Sequence, residues 1–283
     1  PPCAEALVEA GVSKVIVATG DPDSRVSGKG IKILQDAGVA VLQGLLQVEA
    51  NLINQGFLLK TTEKRPLVTI KIASSKDGKI AKLKGQQNWI TGPEARMRGH
   101  LYRANHDAIM VGINTVLIDD PMLDCRIPGL LAQSPIRIIL DSHLRILSNS
   151  KICETANKID TWVMTLSQDV EKTARLKAKG IAVIKVDAND EGKISLNHVM
   201  EVLAKRGITR LLSEGGAKVN ASFVKAGLVD RIIWFKSAES IGATGVNALY
   251  DIPITELDQY LSLSPIDEGK SGKDSWQEFI TKR

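Results

Sequence analysis

Short runs rich in β-branched residues alternate with runs of helical length almost from end to end, and this constrains the chain more than any other feature. Strand-like runs stand at Lys14–Ala18, Val39–Leu42, Leu67–Ala73, Ala108–Val111, Ile136–Leu140, Thr161–Leu166, Ala182–Val186, Arg210–Leu212 and Arg231–Phe235. Helix-like runs stand at Ala4–Ala10, Ile31–Ala37, Val48–Leu59, Pro93–Asn105, Val170–Lys179, Leu196–Lys205 and Ala217–Ala226. This order predicts an α/β fold with a mostly parallel sheet and helices on both of its faces. Two last strands, Tyr260–Ile266 and Trp276–Thr281, flank a turn around Gly269–Lys273 and are expected to pair as a hairpin at the sheet edge. The charged stretch from Lys60 to Arg65, followed by Pro66, breaks the alternation. We place a domain boundary there, with residues 1–64 before it and 65–283 after it.

Composition narrows the function classes. A chain of 283 residues with 43% hydrophobic and 24% charged residues is an ordinary globular protein, long enough to bury a core without staples. Its formal charge of +5 suits anionic small molecules and nucleic acid alike. Aromatic residues make up only 4% and do not interleave with basic ones, which argues against a nucleic-acid groove. No apolar run approaches the roughly 20 residues of a membrane span, and no signal peptide is visible. The three cysteines, Cys3, Cys125 and Cys153, are too few and too widely spaced for a disulfide framework, so a reducing cytoplasm is expected. None of the four histidines has a metal-binding spacing.

Three constellations could carry chemistry. Ser213-Glu214-Gly215-Gly216 joins a strand to a helix, where glycines let a backbone approach a ligand and the helix start favours an anion. It could equally be a plain tight turn. The stretch from Thr115 to Arg126, with Asp119, Asp120, Pro121 and Leu123 between, reads as a rigid charged loop after a strand. Its carboxylates could hold hydroxyls and Arg126 could clamp a phosphate, or the whole could be a solvated acidic turn. The stretch from Gln87 to Pro93 caps a helix, but capping leaves Trp89 unexplained. A tryptophan there is a lid on the core or a stacking surface.

In this order the pieces resemble the bifunctional riboflavin-biosynthesis family, a diaminohydroxyphosphoribosylaminopyrimidine deaminase fused to a 5-amino-6-(5-phosphoribosylamino)uracil reductase. The resemblance rests on Lys71-Ile72-Ala73-Ser74-Ser75-Lys76-Asp77-Gly78, on Trp89-Ile90-Thr91 and on Gly112 to Arg126. It continues through Ile139-Leu140-Asp141-Ser142, Glu214-Gly215-Gly216 and Ala226-Gly227-Leu228-Val229-Asp230. These motifs cover nearly all of residues 66–235; beyond about Gly245 only the general character matches. In the first segment, Pro1-Pro2-Cys3-Ala4-Glu5-Ala6 is similar to the end of the deaminase's zinc motif. The Asp21-Pro22-Asp23 loop and Ser27-Gly28-Lys29-Gly30 also match the deaminase half.

The resemblance implies a dihydrofolate-reductase-like reductase domain preceded by the C-terminal part of a cytidine-deaminase-like α/β domain. The reaction it implies opens a phosphoribosyl unit to a ribityl chain, with hydride delivered from NADPH to C1′. Ala73, Trp89, Thr115, Asp119 and Ser142 would lie along NADPH. Gly216, Ala217, Lys218, Val219, Asn220, Ala221 and Ser222 would cradle its phosphates. Gln87, Arg103, Leu123, Arg126 and Glu214 would bind the phosphorylated pyrimidine substrate, with the two arginines near its 5′-phosphate. Asp119 and Glu214 are the expected catalytic groups. Gln87 departs from the family's usual serine. Cys3 would be a zinc ligand, but the other ligands and the general acid/base Glu of a zinc deaminase are absent from the given sequence, so this chain is expected not to deaminate. The start at Pro1 reads as that of a fragment. A homodimer is also implied. A second reading keeps the family but makes the deaminase the main activity, leaving this half to bind nucleotide and dimerise.

Overall fold

In the computed structural model, which describes residues 2–23, 25–81 and 90–282, the alternating runs separate into two units, Pro1–Pro66 and Leu67–Arg283. The first holds α1 (Cys3–Glu9), β1 (Lys14–Val17), α2 (Lys29–Asp36), β2 (Ala40–Gln43) and α3 (Gln47–Thr62). Strands β1 and β2 pair in parallel, Lys14 opposite Ala40. Ala4, Leu34 and Val39 form its buried core, with Leu7, Val8, Val15 and Val41 packed around them.

The second unit is built on β3 (Leu67–Ser74), followed by β4 (Lys79–Ala81), α4 (Pro93–Ala104), β5 (Ala108–Gly112), α5 (Ile113–Asp119), β6 (Ile136–Leu140), α6 (Lys151–Glu154) and β7 (Thr161–Thr165). Then come α7 (Val170–Ala178), β8 (Ile181–Lys185), α8 (Leu196–Lys205), β9 (Arg210–Ser213), α9 (Ala217–Lys225), β10 (Arg231–Lys236), β11 (Val246–Asn247), α10 (Leu257–Tyr260), β12 (Leu263–Ser271) and β13 (Asp274–Thr281). Among the described residues its main sheet has nine strands in the order β12-β13-β10-β3-β9-β5-β6-β7-β8. From β10 to β8 all neighbours are parallel. The hairpin β12-β13 adds the antiparallel edge, as its sequence predicts.

Burial on both faces explains why these strands read as continuous apolar runs. In β3, Val68, Ile70 and Ile72 turn to one face, where Met200 and Leu203 of α8 and Phe223 and Val224 of α9 meet them. In β5, Ile109 and Val111 turn to the other face, against Ala95 of α4, Val116 of α5 and Leu176 of α7. The period of two along each strand thus feeds two separate core layers.

One local expectation is corrected. Residues Ile113–Asp119 are helical rather than a loop, and irregular backbone begins only at Asp120 (φ +39°). On α4, Met97 and Leu101 face outward; the buried positions are Ala95 and Gly99. Lys71 of β3 lies against this inner face, its Cε 4.0 Å from where a Cβ on Gly99 would sit.

Candidate functional site

The chain enters β9 after β8, yet β9 lies between β3 and β5. The strand order therefore reverses there, the kind of point at which open α/β sheets bind ligands beyond their carboxyl ends. Two turns meet at this point. The Glu214 N–H donates to the Met110 carbonyl (3.1 Å) and the Gly112 N–H to the Gly215 carbonyl (3.3 Å), which extends pairing past the ends of β5 and β9. Neighbouring side chains already fill the space that a Cβ at these glycines would need. A Cβ on Gly215 would sit 2.8 Å from Val219 Cγ1, and one on Gly216 (φ +79°) 3.0 Å from the Thr115 hydroxyl.

Helix α9 opens on Gly216 with no side-chain cap. The first-turn N–H groups of Ala217, Lys218 and Val219 are thus the ones an outside anion can satisfy. Asn220 and Ala221 are buried beneath this turn, and Asn220 Oδ1 accepts from the Ser213 hydroxyl (2.8 Å). They support the cradle rather than face it. Ser222 is one turn further along, its hydroxyl donating to the Lys218 carbonyl (2.9 Å). The bare turn and the Lys218 charge fit a phosphorylated cofactor.

Glu214 leaves the end of β9 into a cluster of opposite charge. The Arg103 guanidinium grips it with a fork, Nε to Oε1 at 2.8 Å and Nη2 to Oε2 at 3.0 Å, and Lys71 Nζ lies 3.7 Å from Oε2. Burial by itself pushes the carboxyl up, but the Arg103 and Lys71 charges overcome it and hold the pKa down to about 2. Glu214 is therefore an anion throughout the physiological range. Arg103 also donates to the Asp124 carbonyl (3.0 Å), which joins α4 to the loop that carries Arg126. Arg126 itself is open, with its side chain 59% exposed, and its nearest anionic partner is Asp124 (3.4 Å). The geometry thus brings Arg103 and Glu214 together and leaves Arg126 free to reach a ligand.

Other expected residues lie further out. Ala73 packs against the core layer that holds Phe235, on the same side of β3 as Lys71. Thr115 stands over Gly216. Ser142 follows β6, its carbonyl accepting from the Thr165 hydroxyl (3.2 Å). Leu123 is only 3% exposed, at φ +55°, so it belongs to the core and supports the loop rather than offering a surface to a substrate. Asp119 closes α5, roughly 9 Å along the axis from the Gly112 end at 1.5 Å per residue. Its carboxylate makes no hydrogen bond or ion pair with another described residue, and burial raises its pKa. Asp119 and Glu214 are therefore not brought into contact. Gln87 and Trp89 lie outside the described residues. Cys3 is exposed, and no three His, Cys, Asp or Glu side chains converge among the described residues. The described side chains do not fit a zinc ion.

Sequence reasoning missed the roles of Lys71 and Arg137. The signal for both was a cation inside an otherwise apolar strand. Arg137 is fully buried in β6 and donates to the Thr161 and Thr155 hydroxyls and to the carbonyls of Met122, Ile152 and Ile159. Burial lowers its pKa to about 10. It anchors the backbone at Met122, immediately before Leu123.

Residues 66–260 match the RibD C-terminal domain family. The riboflavin biosynthesis protein RibD of Bacillus amyloliquefaciens is 37% identical, over 98% of this chain and 78% of that protein. The structure of Acinetobacter baumannii RibD superposes with a TM-score of 0.87 at 32% identity, covering 100% of this chain and 77% of that one. A Thermotoga maritima structure, described as a diaminohydroxyphosphoribosylaminopyrimidine deaminase/5-amino-6-(5-phosphoribosylamino)uracil reductase, superposes with a TM-score of 0.83 at 28% identity, covering 100% of this chain and 75% of that one. The second unit is a mostly parallel sheet with helices on both faces, a fold it shares with the Acinetobacter baumannii RibD structure. With the family's C-terminal domain matched across most of that unit, and relatives aligned over nearly the full length, this chain belongs to the RibD family of riboflavin-biosynthesis proteins.

Proposed function

We propose that the second unit reduces 5-amino-6-(5-phosphoribosylamino)uracil to its ribityl form with NADPH. The observation that carries this reading is the Lys71–Glu214–Arg103 cluster, two residues from the bare first turn of α9. One end of the site offers an anion fixed between two cations, and the other offers backbone N–H groups to a phosphate. The family is a reductase family with NADP-type cofactors, and the cofactor supplies hydride when bound.

The chain's own residues bind and orient. Arg126, and Arg103 where its fork leaves a hydrogen free, meet the substrate's 5′-phosphate. Glu214 accepts from a sugar hydroxyl and balances positive charge as the glycosylamine opens. Lys71 can give a proton to the ring oxygen as the C1′–O bond breaks. Thr115, Gly216 and the first turn of α9 seat the cofactor phosphates, and Ala73, Trp89, Asp119 and Ser142 line its remaining length. Gln87 contacts the substrate.

For residues 1–64 we propose the C-terminal part of a zinc deaminase domain, with Cys3 a ligand in the intact domain and hydrolytic deamination its task there. A cytoplasmic homodimer completes the reading. Among the described residues no helix is long and apolar enough to cross a membrane.

The test is to add NADPH and the deaminated phosphoribosylaminouracil and follow the absorbance of the reduced nicotinamide. Steady loss with formation of the ribityl product supports the reading. No oxidation together with no NADPH binding overturns it. Sedimentation of the purified chain tests the dimer.

A further inference from the structure

His100 lies on α4, three residues before Arg103, and its contacts go to the loop that carries Arg126. Its Nδ1 is 3.1 Å from the Asp124 carbonyl oxygen and 3.3 Å from the Arg126 main-chain nitrogen. Its own carbonyl accepts from the Cys125 thiol (3.5 Å). Every residue from Asp124 to Arg126 is therefore tied to this one histidine. Arg103 shares the Asp124 carbonyl at 3.0 Å. The charged groups facing the ring are Arg103, Arg126 and Glu214.

One nitrogen cannot serve both contacts at once. As N–H, Nδ1 donates to the Asp124 carbonyl; as a lone pair, it accepts from the Arg126 N–H. Burial, reinforced by the Arg103 and Arg126 charges, lowers the imidazole pKa, which favours the neutral ring in which this choice exists. An apolar side chain of similar size could fill the same half-buried position on α4, but it could hold neither backbone atom.

We propose that His100 is a positioning residue for the substrate's phosphate: by bonding the backbone beside Cys125, at the Asp124 carbonyl in one tautomer or at the Arg126 N–H in the other, it sets where the Arg126 guanidinium reaches, relative to Arg103. The inference rests on the reading that Arg126 meets the 5′-phosphate. His100 itself touches neither substrate nor cofactor.

The experiment compares the wild type with His100→Leu and His100→Asn. Asparagine carries its amide where Nδ1 lies, so it can still bond the loop; leucine cannot. Steady-state assays give KM for the phosphoribosylaminouracil and for NADPH, and titration calorimetry gives the affinity for ribose 5-phosphate. Loss of a loop-holding hydrogen bond is expected to raise substrate KM and weaken ribose 5-phosphate binding about tenfold in His100→Leu. The NADPH KM should stay within about twofold, and His100→Asn should recover most of the loss. A merely structural role would lower the active fraction, and so kcat, without moving substrate KM. The proposal is overturned if His100→Leu binds ribose 5-phosphate as the wild type does, if its NADPH KM rises equally, or if His100→Asn is no better than leucine. Calorimetry needs no turnover, so an inactive wild type counts against the reductase reading while the His100 comparison is still decided.

Discussion

The two units use the same alternation of strand and helix but bury it very differently. In the second, a sheet that has nine strands among the described residues is covered on both faces, and residues such as Ile70, Ile109 and Phe223 are fully buried. In the first, two short parallel strands share a core centred on Ala4, Leu34 and Val39. Several of its other apolar side chains are exposed: Ile16 is 53%, Val48 71% and Ile53 69% exposed. Periodicity thus marks which residues can be buried, but the number of layers decides how many are. Apolar burial is worth about 25 cal/mol per Å², so stability in this chain is concentrated in the second unit.

The largest effect that could break this comparison is in the second core. Phe223→Ala should cost about 3–5 kcal/mol and lower the melting temperature of the second unit's transition in calorimetry. If the transition does not move, the two-layer core is not what holds that unit.

Next comes the site that this core positions. Glu214→Gln leaves Arg103 and Lys71 without their counter-charge. Reductase kcat/KM should fall about 10²–10³-fold, while the first unit keeps its circular-dichroism signal. Arg126→Ala should weaken substrate binding by about 2–4 kcal/mol and leave NADPH affinity nearly unchanged. A loss confined to NADPH would reassign Arg126 to the cofactor.

A pH titration probes the same unit more gently. His106 has its ring between the Tyr102 carbonyl and the Thr69 hydroxyl, and burial lowers its pKa from 6.5 to about 4. Below pH 6.5 the unfolded chain takes up a proton that the folded one refuses until about pH 4. Stability therefore falls as pH falls through that window, by up to about 3 kcal/mol. Glu214, at about 2 against an ordinary 4.5, adds a second loss between pH 4.5 and 2. Melting temperature against pH should show both limbs, and His106→Gln should flatten the upper one. The smallest effect belongs to the first unit: Val48→Ala, at an open position, should change stability by less than about 0.5 kcal/mol in denaturant titration. A cost near that of Phe223→Ala would mean that Val48 is covered in solution.

The site was partly legible. Glycines beside a carboxylate at a strand-to-helix turn announced the α9 cradle, because only glycine tolerates φ near +79° so close to Thr115. Arg103 and Glu214, separated by 111 residues, carry no local sign that they pair. Leu123 read as a substrate contact, yet its side chain went to the core. Asp119 read as part of a loop, yet it ends a helix. The inner face of α4 carries no apolar signature in the sequence, because its packing surface is made of Ala95 and Gly99.

By itself, the sequence determined the element order, the parallel class of the sheet and the antiparallel hairpin at its edge. These follow from local periodicity and from the right-handed rule for parallel crossovers. Only the tertiary structure decided that β9 enters between β3 and β5. That insertion brings Lys71, Arg103 and Glu214 within hydrogen-bond or ion-pair reach. Such a choice depends on which strands gain most by sharing both faces with neighbours. That is a property of the whole core, and no segment of the chain encodes it alone.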